Sequence, residues 1–290
     1  MPDAGNGQIE PPGNGGLRKR ITALSEVSAL PLTARKIVHA LTREDSTIQE
    51  LEDVIRHDQS LASKIVAVAN SAFYYSHRGV SVNSLDQAIV VLGRDAVTNI
   101  ALGISLFKLF SLPPHTLKQM WAHAYRAALA SSFFASRMAD SDKEIAFLAG
   151  LLHDIGKVVF LTVGDKRQLN NFPGARGADG IQRERDVFLC SHMEAGYWFL
   201  RGISLPDEVV LPVLHHHDYP EGSEHPHIVA PVFIAEGLLC TLEYDDAADG
   251  AWTEKTEAVA STYGIDKPLL DECRRLLALE DEFIRGFFEY

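Results

Sequence analysis

Along most of the chain apolar residues return every third or fourth position, the period of an amphipathic helix. In "STIQELEDVI", Ile48, Leu51 and Ile55 share one face, and Thr47 with Glu50 three residues later has the spacing of a capping box. Asp58 is placed to cap a second helix, whose stripe is Leu61, Ile65 and Val68. "SLDQAIVVLG" is a further short helix, closed by Gly93. Beyond the tandem prolines of "SLPPH", residues 111–115, a long helix is predicted with Leu117, Met120, Ala124, Ala127 and Phe134, carrying His123. Ser141 and Glu144 repeat the capping-box spacing. The helix after them has Leu148, Leu151, Leu152, Ile155 and Val159 on its apolar side and contains His153 and Asp154. "NFPGARGADG" is predicted to be a loop, and "RDVFLCSHMEAGYWFL" one helix that carries His192 and stops near Gly202. "LPDEVVLPVLHHH" opens a helix at Pro206, with Pro212 placed to kink it before the histidines. "HIVAPVFIAEGLLC" is apolar except for Glu236.

No alternating strand pattern and no repeat of 20–50 residues is present, so the fold class is all-α and multi-helical. Four parts are expected: a disordered tail at 1–16, rich in Gly, Pro and Asn; an N-terminal helical half at 17–112; a second helical body with most of the histidines at 113–250; and charged, amphipathic terminal helices at 251–290.

Composition narrows the function classes. The 290 residues are 46% hydrophobic and 23% charged, an ordinary globular balance. A formal net charge of −12 without a basic stripe argues against nucleic acid and against anionic membranes as partners. Three widely spaced cysteines, Cys190, Cys240 and Cys273, form no disulfide framework and point to a reducing cytoplasm. The first residues lack the basic and apolar regions of a signal peptide, and no bilayer-spanning stretch is expected.

His123, His153, Asp154, His192, His216, His217 and Glu236 fall on five successive helical segments, and most of them interrupt apolar stretches. One histidine in a helix is ordinarily a core or surface residue held by a hydrogen bond. Glu236 alone fits equally well a surface carboxylate or one paired with a buried cation, because a carboxylate among Val, Phe, Ile, Ala and Leu needs solvent or a partner. As a set, imidazoles and carboxylates suit zinc, iron, manganese or nickel, and the number of donors is enough for two ions. Asp154 and Lys157 are the candidate catalytic residues. Lys157 lies one turn after His153 and is placed either to contact a phosphate or to be solvated. His215 is expected to point elsewhere, and Asp218 at most to touch a ligand. Gly196, four residues after His192, is small enough to admit a neighbouring helix or is a simple contact glycine.

At these residues the chain resembles the HD superfamily of metal-dependent phosphohydrolases: His123, then His153-Asp154, then a late carboxylate, with His192 and His216-His217 matching the further ligands of its HD-GYP branch. The N-terminal half resembles the HDOD signalling domain in "LPLTARKIVHAL", "VIRHDQSLASKIVAVANSAFY" and "SLDQAIVVLGRDAVTNIAL", including Asn70-Ser71 and Leu92-Gly93. The resemblance covers about residues 25–240. It implies an N-terminal helical subdomain packed on an HD-like helical core, and a role as an output or regulatory module of bacterial signalling. Many members of that family have lost ligands that this chain keeps. Glu236 stands where the superfamily usually has Asp, "HHHDYPEG" lacks the glycine of the GYP signature, and Gln59 replaces a usual proline.

Two functions stay open: a signalling module without turnover, whose partner is a signalling protein or a small nucleotide, and a metal-dependent phosphohydrolase acting on a nucleotide or cyclic dinucleotide. The first is favoured, with slow or no hydrolysis of cyclic di-GMP expected. The N-terminal half is expected to bind a partner, since His39 and His57 are isolated and the Asn70-Ser71 turn is suited to bonding backbone.

Overall fold

The computed structural model describes residues 15–26, 30–42, 48–75, 81–110, 112–165, 168, 177–220, 225–243 and 252–287, which contain helices and no strand. The first capping box falls partly outside them, at Thr47, as do most of the N-terminal tail and residues 171–176 of the expected loop.

The N-terminal half is α1 (Gly15–Leu24), α2 (Leu32–Thr42), α3 (Ile48–Arg56), α4 (Gln59–Ala69), the single turn α5 (Ala72–Tyr75), α6 (Leu85–Leu92) and α7 (Arg94–Lys108). Local chemistry sets these ends. Asp58 accepts a hydrogen bond from the backbone N–H of Leu61 at 2.9 Å, as its position predicts. The Asn70 amide donates to the carbonyls of Val66 and Val82 and accepts from the Val82 N–H at 2.8 Å, tying the end of α4 to the segment that leads into α6. Gly93 has φ +86°, open to glycine, and there the chain turns by 116° from α6 into α7. Residues Ala96 to Phe107 of α7 are all buried, with α2 on one side and the second half on the other.

The second half is α8 (Pro114–Ala135), α9 (Lys143–Leu152), α10 (Ile155–Val163), α11 (Gly177–Phe188), α12 (His192–Gly202), α13 (Asp207–His215) and α14 (Pro226–Glu243), followed by α15 (Glu254–Thr262) and α16 (Lys267–Gly286). α8 runs through the middle, with α9, α14 and α16 against it. Phe287, just after α16, stacks on Trp121 at 4.9 Å between ring centroids. Buried apolar side chains of both halves form one continuous cluster.

Four local expectations change. Asp142, not Ser141, caps α9, accepting from the N–H groups of Glu144 and Ile145, while the Ser141 hydroxyl donates to the His227 carbonyl. The helix through His153 and Asp154 is interrupted there, giving α9 and α10. The helix read through His192 is two helices, and the first, α11, already begins at Gly177 inside the expected loop. Pro206 is the residue before α13, whose first position is Asp207. The apolar run over residues 143–163 is long enough to cross a membrane, but it carries this interruption and is mostly buried among the other helices, as a core helix is.

Candidate metal centre

Five chain segments bring the seven ligand-type residues together. His123 projects from the middle of α8 and Glu236 from α14, His153 and Asp154 occupy the interruption between α9 and α10, His192 opens α12, and His216 and His217 follow the end of α13. They form two groups, His123, His153 and Glu236 in one, Asp154, His192, His216 and His217 in the other. Within each group one donor atom per residue lies within 4.8 Å of the rest.

Asp154 lies between the groups. Its Oδ2 is 3.6 Å from Nε2 of both His123 and His153, and its Oδ1 is 3.4 Å from His192 Nε2 and 3.6 Å from His216 Nε2. Glu236 Oε2 is 3.3 Å from His123 Nε2 and 3.5 Å from His153 Nε2, and its Oε1 is 4.0 Å from His217 Nε2. The Cys240 thiol, one turn later on α14, donates to Glu236 Oε1 at 3.5 Å.

At three of the rings the far side tells which nitrogen carries the proton. His153 Nδ1 lies 2.7 Å from the Gly150 carbonyl and His216 Nδ1 2.8 Å from the Val213 carbonyl. In both cases a histidine ending a helix caps a carbonyl three residues earlier that has no helical partner. A carbonyl only accepts, so Nδ1 donates, and in a neutral ring Nε2 is then a lone pair. His192 Nδ1 lies 2.7 Å from Glu184 Oε2, an oxygen that already accepts the His192 backbone N–H and so accepts here too. His192 Nε2 and His216 Nε2 consequently face each other as lone pairs at 3.1 Å, and His123 and His153 place their Nε2 atoms equally close.

Electrostatics make the arrangement harder to explain without a cation. Burial holds the His192, His216 and His217 imidazoles below their ordinary range, with the Lys157 ammonium adding to the effect at His192, so the charged form that would bridge two rings is disfavoured. Asp154 Oδ1 and Glu236 Oε2 are buried and accept no hydrogen bond of normal geometry. Burial raises both carboxyls, yet positive charge beside them, the Lys157 ammonium at Asp154 and any proton held by the neighbouring imidazoles at Asp154 and Glu236, outweighs it and holds both well below the usual range. Converging imidazole lone pairs and unbonded carboxylate oxygens fit a divalent metal, which neutralises the carboxylates and accepts the nitrogen lone pairs.

Two glycines make the convergence possible. A Cβ on Gly156 would stand 1.8 Å from the His192 carbonyl oxygen and 2.8 Å from the Gly196 nitrogen, and one on Gly196 would stand 3.2 Å from the Gly156 nitrogen. α10 and α12 cross here with backbone against backbone, which brings Asp154 alongside His192.

The neighbouring candidates separate from the cluster. His215 Nδ1 faces the Asp218 carbonyl at 3.2 Å, and the exposed Asp218 carboxylate pairs with Lys255. Lys157 reaches the cluster, its Nζ donating to Asp154 Oδ2 at 2.7 Å. Glu184 is the residue that sequence reasoning missed: buried, on α11, and bonded to both Nδ1 and the backbone N–H of His192 at 2.7 Å. Burial pushes its carboxyl up to about 7, against the lowering effect of the His192 N–H.

Fold and cluster together define an all-helical protein built around a buried histidine–carboxylate centre. The HDOD domain model matches residues 27–219, and the chain belongs to that family. A candidate signal transduction protein from Marinobacter aquaeolei VT8 has a similar structure, with TM-score 0.70 and 26% identity over 90% of this chain, which spans 59% of that protein's length. An HDOD domain protein from Geobacter sulfurreducens matches with TM-score 0.71 and 24% identity, over 92% of this chain and 96% of that one. A candidate phosphohydrolase from Shewanella amazonensis SB2B matches with TM-score 0.71 and 20% identity, over 96% and 98%. No curated protein matches the chain significantly in sequence.

Proposed function

We propose that this chain is a regulatory output module of bacterial signalling that holds one or two divalent transition metal ions at His123, His153, Asp154, His192, His216, His217 and Glu236, and that it hydrolyses phosphodiesters slowly or not at all. Iron, manganese, zinc and nickel suit this donor set. Bound there, such ions would supply Lewis acidity and a water of lowered pKa.

The enclosure of the cluster carries the reading. His153, His192 and His216 are at most 1% exposed, Glu236 5% and Asp154 8%. Parts of the His123, His217 and Lys157 side chains, and less of Asp154 and Glu236, reach the surface, and the Lys157 ammonium is already engaged by Asp154. Turnover of a phosphodiester needs an open coordination position and a substrate held in line, and donors buried this deeply leave little room for either. Ions are small enough to be held as structural or sensing elements. The N-terminal half is the part proposed to meet a signalling protein, and Leu32 on α2 and Val90 on α6 are single apolar side chains exposed on it. A small nucleotide is the alternative partner.

A metal-dependent phosphohydrolase acting on a nucleotide or cyclic dinucleotide is the second reading, favoured by the completeness of the donor set. Asp154, whose two oxygens face the two histidine groups, would then help hold the metal, and Lys157 would have to leave it to meet a phosphate. The test is a cyclic di-GMP assay with manganese or iron restored under reducing conditions, beside His153→Ala. Turnover well below about 1 s⁻¹ is expected. A rate at or above that, abolished in the variant, would replace the module by the hydrolase.

A further inference from the structure

His153 and His216 end helices, and each finds a backbone carbonyl for its Nδ1 proton. His192 is the first residue of α12, where the backbone offers N–H groups and no free carbonyl. An external acceptor is therefore required, and Glu184 supplies it. One oxygen, Oε2, takes both the Nδ1 proton and the backbone N–H of His192. Two bonds to one atom fix the ring relative to its own backbone. Glu184 is 2% exposed, and its helix is held against α10 by the stacked rings of Phe160 and Phe188, 4.1 Å between centroids.

We propose that Glu184 is the positioning residue of the group Asp154, His192, His216 and His217, and sets that group's affinity for a divalent cation while leaving His123, His153 and Glu236 largely unaffected. The proposal rests on reading the cluster as a metal centre. Without the carboxylate the His192 proton is free to move to Nε2. That nitrogen lies 3.1 Å from His216 Nε2, so the two rings would hydrogen-bond to each other and occupy the lone pairs an ion needs. The carboxylate also raises the basicity of the ring it holds, and partners of this kind change metal affinity about 10–100-fold.

The experiment is cobalt(II) titration of the full chain, read by visible absorption and by metal content, for the unmodified protein, Glu184→Gln and Glu184→Leu. Melting of the metal-free proteins is measured in parallel. The glutamine oxygen can still accept both N–H groups but lacks the charge, so roughly tenfold weaker binding at one site is expected. Glu184→Leu is expected to hold one cobalt fewer than the unmodified protein at the same free concentration, with a changed spectrum. If the leucine variant fails to fold, the glutamine variant carries the test alone. Equal affinity and spectrum in the glutamine variant and the unmodified protein would overturn the role of Glu184, as would equal weakening of both ions where the unmodified protein binds two. An unmodified protein that takes up no cobalt would overturn the metal centre itself.

Discussion

Replacing Gly156 with alanine would put a methyl group 1.8 Å from the His192 carbonyl oxygen. A carbon stands no closer than about 3.0 Å to such an atom, so α10 and α12 must part by at least about 1.2 Å. Asp154 and His192 sit on opposite sides of this crossing, with Oδ1 and Nε2 3.4 Å apart. Metal–ligand distances tolerate only about 0.2 Å, so a displacement several times larger should weaken the hold of this group on a metal. Overpacking typically costs about 1–3 kcal/mol, and backbone against backbone, with no side-chain rotation to relieve it, places this case at the upper end. For a chain of this size about 3 kcal/mol is roughly 6–12 °C in melting temperature. Gly103→Ala is the control, since its methyl would meet only the Leu151 side chain, which can turn away. Metal content and thermal melting of both variants are the assay. Loss of metal with a lowered melting point is expected for Gly156→Ala, and retention of metal with a small shift for Gly103→Ala. A Gly156→Ala protein with full metal content and unchanged melting would refute the argument that this crossing sets the site.

Glu280 on α16 is fully buried, with Oε1 accepting the Phe73 N–H and Oε2 without a hydrogen bond, and burial pushes its carboxyl up to about 7 from an ordinary 4.5. The folded form thus holds this proton more tightly than the unfolded chain, so its stability contribution is full below about pH 4.5 and is lost as pH rises through about 7, by about 3 kcal/mol. Glu280→Gln should flatten that slope in denaturant titrations and be more stable than the unmodified protein at pH 8; parallel curves would contradict the assignment. Asn70→Ala removes the amide that serves both backbone groups of Val82, and a loss of about 2 kcal/mol is expected in urea unfolding, against no change if that turn is held elsewhere. Val90→Asp should leave melting and metal content unchanged while weakening capture of a signalling partner; unaltered capture would remove α6 from the proposed surface.

Much of this was legible in the sequence because the signals were local. Asp58 as a cap, Gly93 as a turn and the apolar spacing of α4, α6 and α8 depend on neighbours a few residues away. The seven cluster residues stood out because polar groups in apolar helices need partners, and the structure brings all seven together. The misreadings have physical causes. The break before α12 contains no glycine or proline: Leu189 takes the left-handed conformation at φ 61°, a position usually given to glycine. A signal was present nonetheless, since Ser191 and Glu194 have the capping-box spacing and form that box. The break at His153-Asp154 is equally unmarked, because its exposed carbonyl is capped by the His153 ring itself. Glu184 escaped notice among the charged residues of "IQRERDVF", where nothing local distinguishes a carboxylate that turns inward from those that face water.

The central claim is that the cluster is a metal centre, and metal content tests it most directly. The full chain, purified anaerobically without chelator, is analysed by elemental mass spectrometry beside His153→Ala. One or two ions of iron, manganese, zinc or nickel per chain are expected in the unmodified protein and clearly fewer in the variant. An unmodified protein that carries no stoichiometric transition metal, even after incubation with each of the four ions, would contradict the account.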